Sequence, residues 1–172
     1  MQLDIHDRAG MHLDELIRVP CRRNFVSMLR NRSVPAETIL PHVVYRDLPQ
    51  ALEWLVNAFG FTEHYHYGEP LSGAQVRLGD AWIMLNSARE DRCSPAELGC
   101  VTQSLTVFVE DVEKHYARSQ AAGANIVEEL HETLYGELQY GVRDLEDHLW
   151  LFSRHARDVD PAAWGATVVN PI

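Results

Sequence analysis

Residues 135–152, YGELQYGVRDLEDHLWLF, read as two strands joined by a turn rich in Asp and Glu. The same layout occurs earlier in the chain. Residues 78–87, LGDAWIMLNS, align with residues 145–154, LEDHLWLFSR, turn on turn and strand on strand. A second pair of segments repeats as well: Val43 to Leu48 (VVYRDL) matches Val107 to Val112 (VFVEDV), an apolar strand that ends in Asp and runs into a helical pattern. The distance from Asp47 to Asp80 is 33 residues and from Asp111 to Asp147 is 36, so one unit of strand, helix and three strands occurs twice. The chain is an internal duplication.

Within the first unit, TILPHVVY opens as a strand at about Thr38, and Pro41 near its start suits a sheet edge or strand entry. Asp47 reads as a helix N-cap, with Pro49 in the first turn, where its missing N–H costs nothing. Leu48, Leu52, Leu55 and Phe59 recur at helical spacing before Gly60, so this helix lays one apolar face on a sheet. Strands follow near residues 61–67, 74–77 and 81–86, with Gly68, Gly73 and Gly79 as turn residues. Residues 87–99 link the units. The second unit is a strand at 101–109, a helix from Asp111 to Ala122 closed by Gly123, and strands near 125–129, 137–142 and 148–153. This divides the chain into an arm (1–37), a first unit with its linker (38–100), a second unit (101–154) and a tail (155–172) without a clear period.

The 172 residues are 46% hydrophobic, enough to bury one substantial core. No run approaches the roughly 18 apolar residues of a spanning helix, and MQLDIHDRAG lacks the basic-then-apolar layout of a secretory signal. Cys21, Cys93 and Cys100 form no CxxC pair, which suits a reducing cytoplasm. The net charge of −10 opposes binding to phosphate backbones, so nucleic acid is excluded as a partner and a neutral or cationic small molecule is favoured. Residues 1–36 differ in holding six arginines against four acids, and are expected to form two short helices around Pro20 that dock on the acidic body.

The opening PHVVYRDLPQALEWLVNAFGF and the closing YGELQYGVRDLEDHLWLF, on two tandem βαβββ units, resemble the vicinal oxygen chelate superfamily, which groups glyoxalases, bleomycin-resistance proteins and ring-cleaving dioxygenases. The resemblance covers residues 38–154. It implies an α+β fold, a curved eight-stranded mixed sheet around a cavity with helices outside, and a homodimer. Activity does not follow, because the group contains metal-dependent enzymes beside metal-free binding proteins. Leu145 and Asp147 stand where the family usually has proline and glycine in the final turn.

Members with metal place His or Gln on the first strand of each unit, seven residues ahead of the strand-end Asp, and Glu on the last strand. By that resemblance the four positions fall on Leu40, Met84, Ser104 and Leu151. None offers an imidazole or carboxylate, so no metal and no other cofactor is expected. Alternation then assigns the faces. Leu40, His42 and Val44, Trp82, Met84 and Asn86, Thr102, Ser104, Thr106 and Phe108, and Leu149, Leu151 and Ser153 share the cavity side. Val43, Tyr45, Ile83, Leu85, Leu105, Val107, Val109, Trp150 and Phe152 lie beneath the helices. The cavity side is mostly apolar with one histidine, one amide and several hydroxyls, the make-up of a small-molecule pocket.

The expected ligand is a small, partly aromatic molecule held between Trp82 and Phe108. His42 reads first as a hydrogen-bonded wall residue and second as a general base or displaced metal ligand. Only that second reading, a metal-dependent lyase or dioxygenase, calls for a divalent cation. His64 and His66 are expected on one strand face at a pocket rim.

Overall fold

The computed structural model describes residues 39–169. The arm and its two expected helices lie outside these residues. The first unit consists of β1 (His42–Tyr45), α1 (Leu48–Phe59), β2 (Thr62–Tyr67), β3 (Gly73–Leu78) and β4 (Ala81–Ser87). A short helix, α2 (Pro95–Leu98), lies in the linker. The second unit consists of β5 (Ser104–Phe108), α3 (Val112–Ala121), β6 (Asn125–Glu132), β7 (Glu137–Arg143) and β8 (Leu149–His155), and the tail forms a 3-10 turn at Pro161–Trp164.

Each unit makes one four-stranded mixed sheet of the same order, β1-β4-β3-β2 and β5-β8-β7-β6, and neither sheet closes on itself. In both, the first strand lies at an edge and runs parallel to the last, with His42 opposite Met84 and Thr106 opposite Leu151. The remaining pairs are antiparallel. The duplication read from the sequence is thus a duplication of topology. The strand that follows Pro41 is an edge strand, where a missing N–H is tolerated.

Local signals account for the helix ends. Asp47 accepts from Gln50 N at 3.1 Å and Asp111 from Lys114 N at 2.9 Å, so both repeated aspartates cap a helix. Gly60 closes α1 in the left-handed conformation, φ 79°. In the final turn Asp147 takes φ 65°, a conformation that aspartate adopts at less cost than most side chains. Gly73 departs from its reading as a turn residue. It opens β3, and a Cβ there would stand 2.2 Å from the Tyr67 ring, so glycine is needed for close packing within the sheet.

The core lies between the sheets and helices. Val43, Tyr45, Ile83, Leu85, Val107, Trp150 and Phe152 are buried, with Leu48, Leu52, Leu55 and Phe59 of α1 packed on the same cluster. Phe59 meets Trp150 and Phe152 edge-on at 5.8 and 4.9 Å, which joins α1 of the first unit to β8 of the second. The linker is not featureless. Ser94 and Glu97 form a capping box for α2, and Ala96 N donates to Glu146 O at 3.0 Å, fastening the linker to the turn before β8. No helix among the described residues is long and apolar enough to cross a membrane.

Candidate ligand-binding face

One face of each sheet lies under the helices, and the side chains of the other face are the ones that alternation assigns to a cavity. On the first sheet the pairing register lines up His42, Met84, Gln75 and Tyr65 across four strands. Met84 and Asn86 are buried, Trp82 is half-buried and His42 is exposed. Leu40 is half-buried just ahead of β1. These side chains are bonded to one another. The Asn86 amide donates to His42 Nδ1 at 3.2 Å, Gln75 Nε2 donates to Met84 Sδ at 3.5 Å, and Gln75 Oε1 meets His64 Nδ1 at 2.8 Å. Trp82 contacts His64 edge-on at 5.2 Å, and the Arg77 guanidinium lies 5.9 Å from its ring centre.

The expectation that His64 and His66 share a face is corrected by a β-bulge. Glu63 pairs with Val76, but Tyr65 pairs with Gln75, so one residue of β2 has no opposite number. His64 and Tyr65 therefore both reach the Gln75 side. His66 pairs with Ala74 and bonds Glu63 Oε1 at 2.5 Å instead.

On the second sheet Thr106, Leu151, Gly141 and Glu128 form one row, and Phe108, Ser153 and Gln139 another. Ser104, Thr106 and Phe108 are exposed, Phe108 to 63%, whereas Leu149 and Leu151 are half-buried. Trp82 and Thr106 line one cleft of about 400 Å³ with Ile39, Pro41 and Leu105. Phe108 is not among its lining residues; it pairs with Ser153, two residues past Leu151 on β8. His42, Val44 and His148 line a smaller pocket of about 70 Å³, roofed by linker residues including Cys93 and Thr102.

The donor set for a metal is a direct test of these positions. Leu40 and Leu151 carry no donor, Met84 offers a thioether already facing Gln75, and Ser104 offers one exposed hydroxyl. Hard or borderline divalent cations are held by carboxylate or imidazole, so these four residues do not fit such an ion. Among the described residues no group of three His, Cys, Asp or Glu is placed to hold an ion.

Beneath β1, a carboxylate pair ties the units together. Asp144 accepts from Tyr45 Oη at 2.7 Å, Trp150 Nε1 at 2.9 Å, and the backbone N–H groups of Glu146 and His148 at 3.0 Å each. Glu146 accepts from the backbone N–H groups of Arg46 and Asp47 at 2.8 and 2.9 Å. Burial pushes the Glu146 carboxyl up, but the N–H groups of Arg46 and Asp47, the Ser94 hydroxyl and the Arg46 charge outweigh it, and its pKa lies below the ordinary value. Burial, then the neighbouring Asp144, pushes the Tyr45 hydroxyl well above its usual range. His148 Nε2 bonds Val44 O at 2.8 Å, so the acidic turn positions the strand that carries His42.

Gln75 and Tyr65 share the face of Met84, and Gln139 that of Ser153; Gln75 and Tyr65 are not legible from sequence as binding residues, and the direction of Gln139 is not either. Alternation runs along a strand, but to carry it onto β3 and β7 requires the pairing register, and the β2 bulge breaks it outright. Tyr140, next to Gln139, lies on the helix side and is fully buried, with its hydroxyl bonded to His115 Nδ1 and Ser119 Oγ at 2.7 and 2.8 Å.

Two βαβββ units in tandem, each with a helix-covered face and an open face, define the paired-module class of α+β proteins. Residues 39–152 match the family model for the Glyoxalase/Bleomycin resistance protein/Dioxygenase superfamily, and the chain belongs to that superfamily. It is 32% identical to TioX from Micromonospora sp. ML1, with a TM-score of 0.58 over 69% of this chain and 98% of that one. An uncharacterized protein of Mycobacterium bovis, Mb0911c, is 29% identical over 128 residues, covering 70% of this chain and 84% of the relative. The genomically encoded fosfomycin resistance protein FosX from Listeria monocytogenes shares the fold at 15% identity and a TM-score of 0.51, over 70% of this chain and 94% of its own.

Proposed function

We propose that the protein is a metal-independent binding protein for a small, partly aromatic molecule that is neutral or cationic. The ligand is held on the open faces by His42, Trp82, Met84 and Asn86 of one sheet and Ser104, Thr106, Phe108, Leu149 and Leu151 of the other. The observation that carries this reading is the make-up of the two faces turned from the helices: the bonded polar set of His42, Asn86 and Gln75 lies beside Met84 on the first sheet, and Phe108, 63% exposed, lies with Ser104 and Thr106 on β5 of the second. A second copy of the chain closes the open faces into a cavity, since edge strands and apolar surface of this kind are stable when covered by a symmetry mate. The charge of −10 favours cationic over anionic ligands and weighs against nucleic acid. The free thiols of Cys93 and Cys100 support a reducing, cytoplasmic setting.

Metal analysis of protein purified without added metal, followed by a screen of aromatic ligands read by tryptophan fluorescence, tests the reading. Less than a tenth of an equivalent of metal together with saturable binding is the expected result. About one equivalent of Zn, Ni, Fe or Mn, lost on His42→Ala, overturns it in favour of an enzyme. That second reading draws on one feature: His42 is exposed, is oriented by Asn86, and shares its small pocket with His148 and Cys93.

A further inference from the structure

Where the chain leaves β8, one corner of the second sheet carries side chains that the binding face described above does not use. Tyr135 lies in the turn between β6 and β7, and its hydroxyl donates to Gln139 Oε1 at 3.4 Å, which carries the ring along β7 past Glu137. Gln139 is only 6% exposed. Its Oε1 also accepts from Ser153 Oγ at 3.3 Å, while its Nε2 meets no acceptor among the described residues. Glu137 shares the strand face of Gln139. Its Oε1 faces His155 Nδ1 at 3.2 Å, but its Oε2 is buried with no hydrogen-bond partner among the described residues. A buried carboxylate oxygen without a donor is rare, because the lost hydration is not replaced.

The tail completes the corner. Ala156 N and Arg157 N both donate to Gly136 O, at 2.9 and 3.0 Å. A Cβ on Gly136, φ 90°, would stand 2.1 Å from Arg157 O, so glycine is what allows the tail to lie against this turn. Asp160 then caps the 3-10 turn through Ala162 N at 2.9 Å. That turn brings Trp164 edge-on to Tyr135, ring centres 6.0 Å apart at 66°. Both rings stay open to solvent, 42% and 43% exposed. Of the neighbouring basic side chains, His155 bonds Oε1 of this same carboxylate and Arg157 pairs with Glu132, so neither bonds Oε2. Trp164 lies beyond the residues that match the superfamily, whereas Tyr135, Glu137 and Gln139 lie within them.

We infer that Tyr135, Trp164 and Glu137 form a subsite for an alkylammonium group, with Gln139 Nε2 donating to a hydroxyl or carbonyl carried beside it. Two aromatic rings attract a weakly hydrated cation through their π faces, and the partnerless Oε2 supplies the opposing charge. Phe108, Ser153 and Gln139 share one pairing row, so the subsite continues the proposed binding face and gives its ligand a cationic end. In that respect it rests on the function proposed above.

Calorimetric titration of the full chain with choline and with its uncharged carbon isostere, dimethylbutanol, tests the subsite. Choline is expected to bind about tenfold more tightly. Glu137→Gln is expected to abolish that preference, and Trp164→Ala to weaken choline about two- to fivefold. Equal affinity for the two probes, or a preference that survives in folded Glu137→Gln, overturns the subsite. Should Glu137→Gln fail to fold, an unchanged choline preference in Trp164→Ala overturns it alone. Binding of a neutral probe such as naphthol, lost on Trp82→Ala, separates the two readings. Naphthol binding without choline preference removes the subsite and keeps the face; choline preference without naphthol binding does the reverse.

Discussion

Tyr45→Phe removes one oxygen from the junction of the two units and leaves the shape of the core intact. Tyr45 is fully buried, and its hydroxyl is one of four donors that converge on Asp144, the others being Trp150 Nε1 and two backbone N–H groups. The substitution costs the bond and leaves a buried carboxylate oxygen with fewer donors, about 1.5–3 kcal/mol for a hydrogen bond to a charged group. For a chain of this size that lowers Tm by roughly 3–12 °C. Urea unfolding followed by circular dichroism measures the change, which is expected as a lower midpoint at unchanged slope. Trp150→Phe removes the second donor to the same Oδ2 atom, so the double variant is expected to lose more than the two single losses combined, by about 0.5–3 kcal/mol. A loss below about 0.5 kcal/mol for Tyr45→Phe, or strict additivity in the cycle, refutes the claim that Asp144 depends on these donors together.

Trp82→Ala is expected to weaken an aromatic ligand by about 1–3 kcal/mol, roughly 5- to 150-fold, with little loss of stability, whereas Trp150→Ala lowers Tm; the opposite pattern in fluorescence titration and melting rejects the assigned face. Light scattering at micromolar concentration is expected to give twice the chain mass of 19.6 kDa, and a monomer removes the closed-cavity reading. Stability is expected to fall in two stages on acidification. His115, lowered from 6.5 by burial and then by the Arg118 charge, against the pull of the Phe59 carbonyl, and Glu146, lowered from 4.5, both have folded pKa values below their unfolded ones. Each therefore stabilises the fold above its unfolded pKa and loses that contribution as pH falls through the folded value. Thermal melts between pH 7 and 3 check this, and Glu146→Gln is expected to flatten the lower stage.

The fold was legible in the sequence because its determinants are local and occur twice. An aspartate that caps a helix, an apolar stripe that ends at Gly60, and strands that alternate through Val43, Tyr45, Ile83, Leu85, Trp150 and Phe152 each reveal themselves within a dozen residues. The same alternation placed His42, Met84 and Asn86 on the side away from the helices, as the burial and bonding of those residues agree. What alternation does not reach is the partner strand. Gln75 lies beside Met84 and Gln139 beside Ser153 only through pairing register, which depends on contacts between distant segments. A single extra residue in β2 turned His66 away from His64, a change of face that no periodicity encodes. The acidic turn was visible as charge, yet its role as the junction of Tyr45, Trp150 and the start of α1 appears only when residues about a hundred positions apart are folded together. The tail had no period to read, because its position is set by tertiary contacts with Gly136 and Tyr135 and not by any repeating pattern of its own.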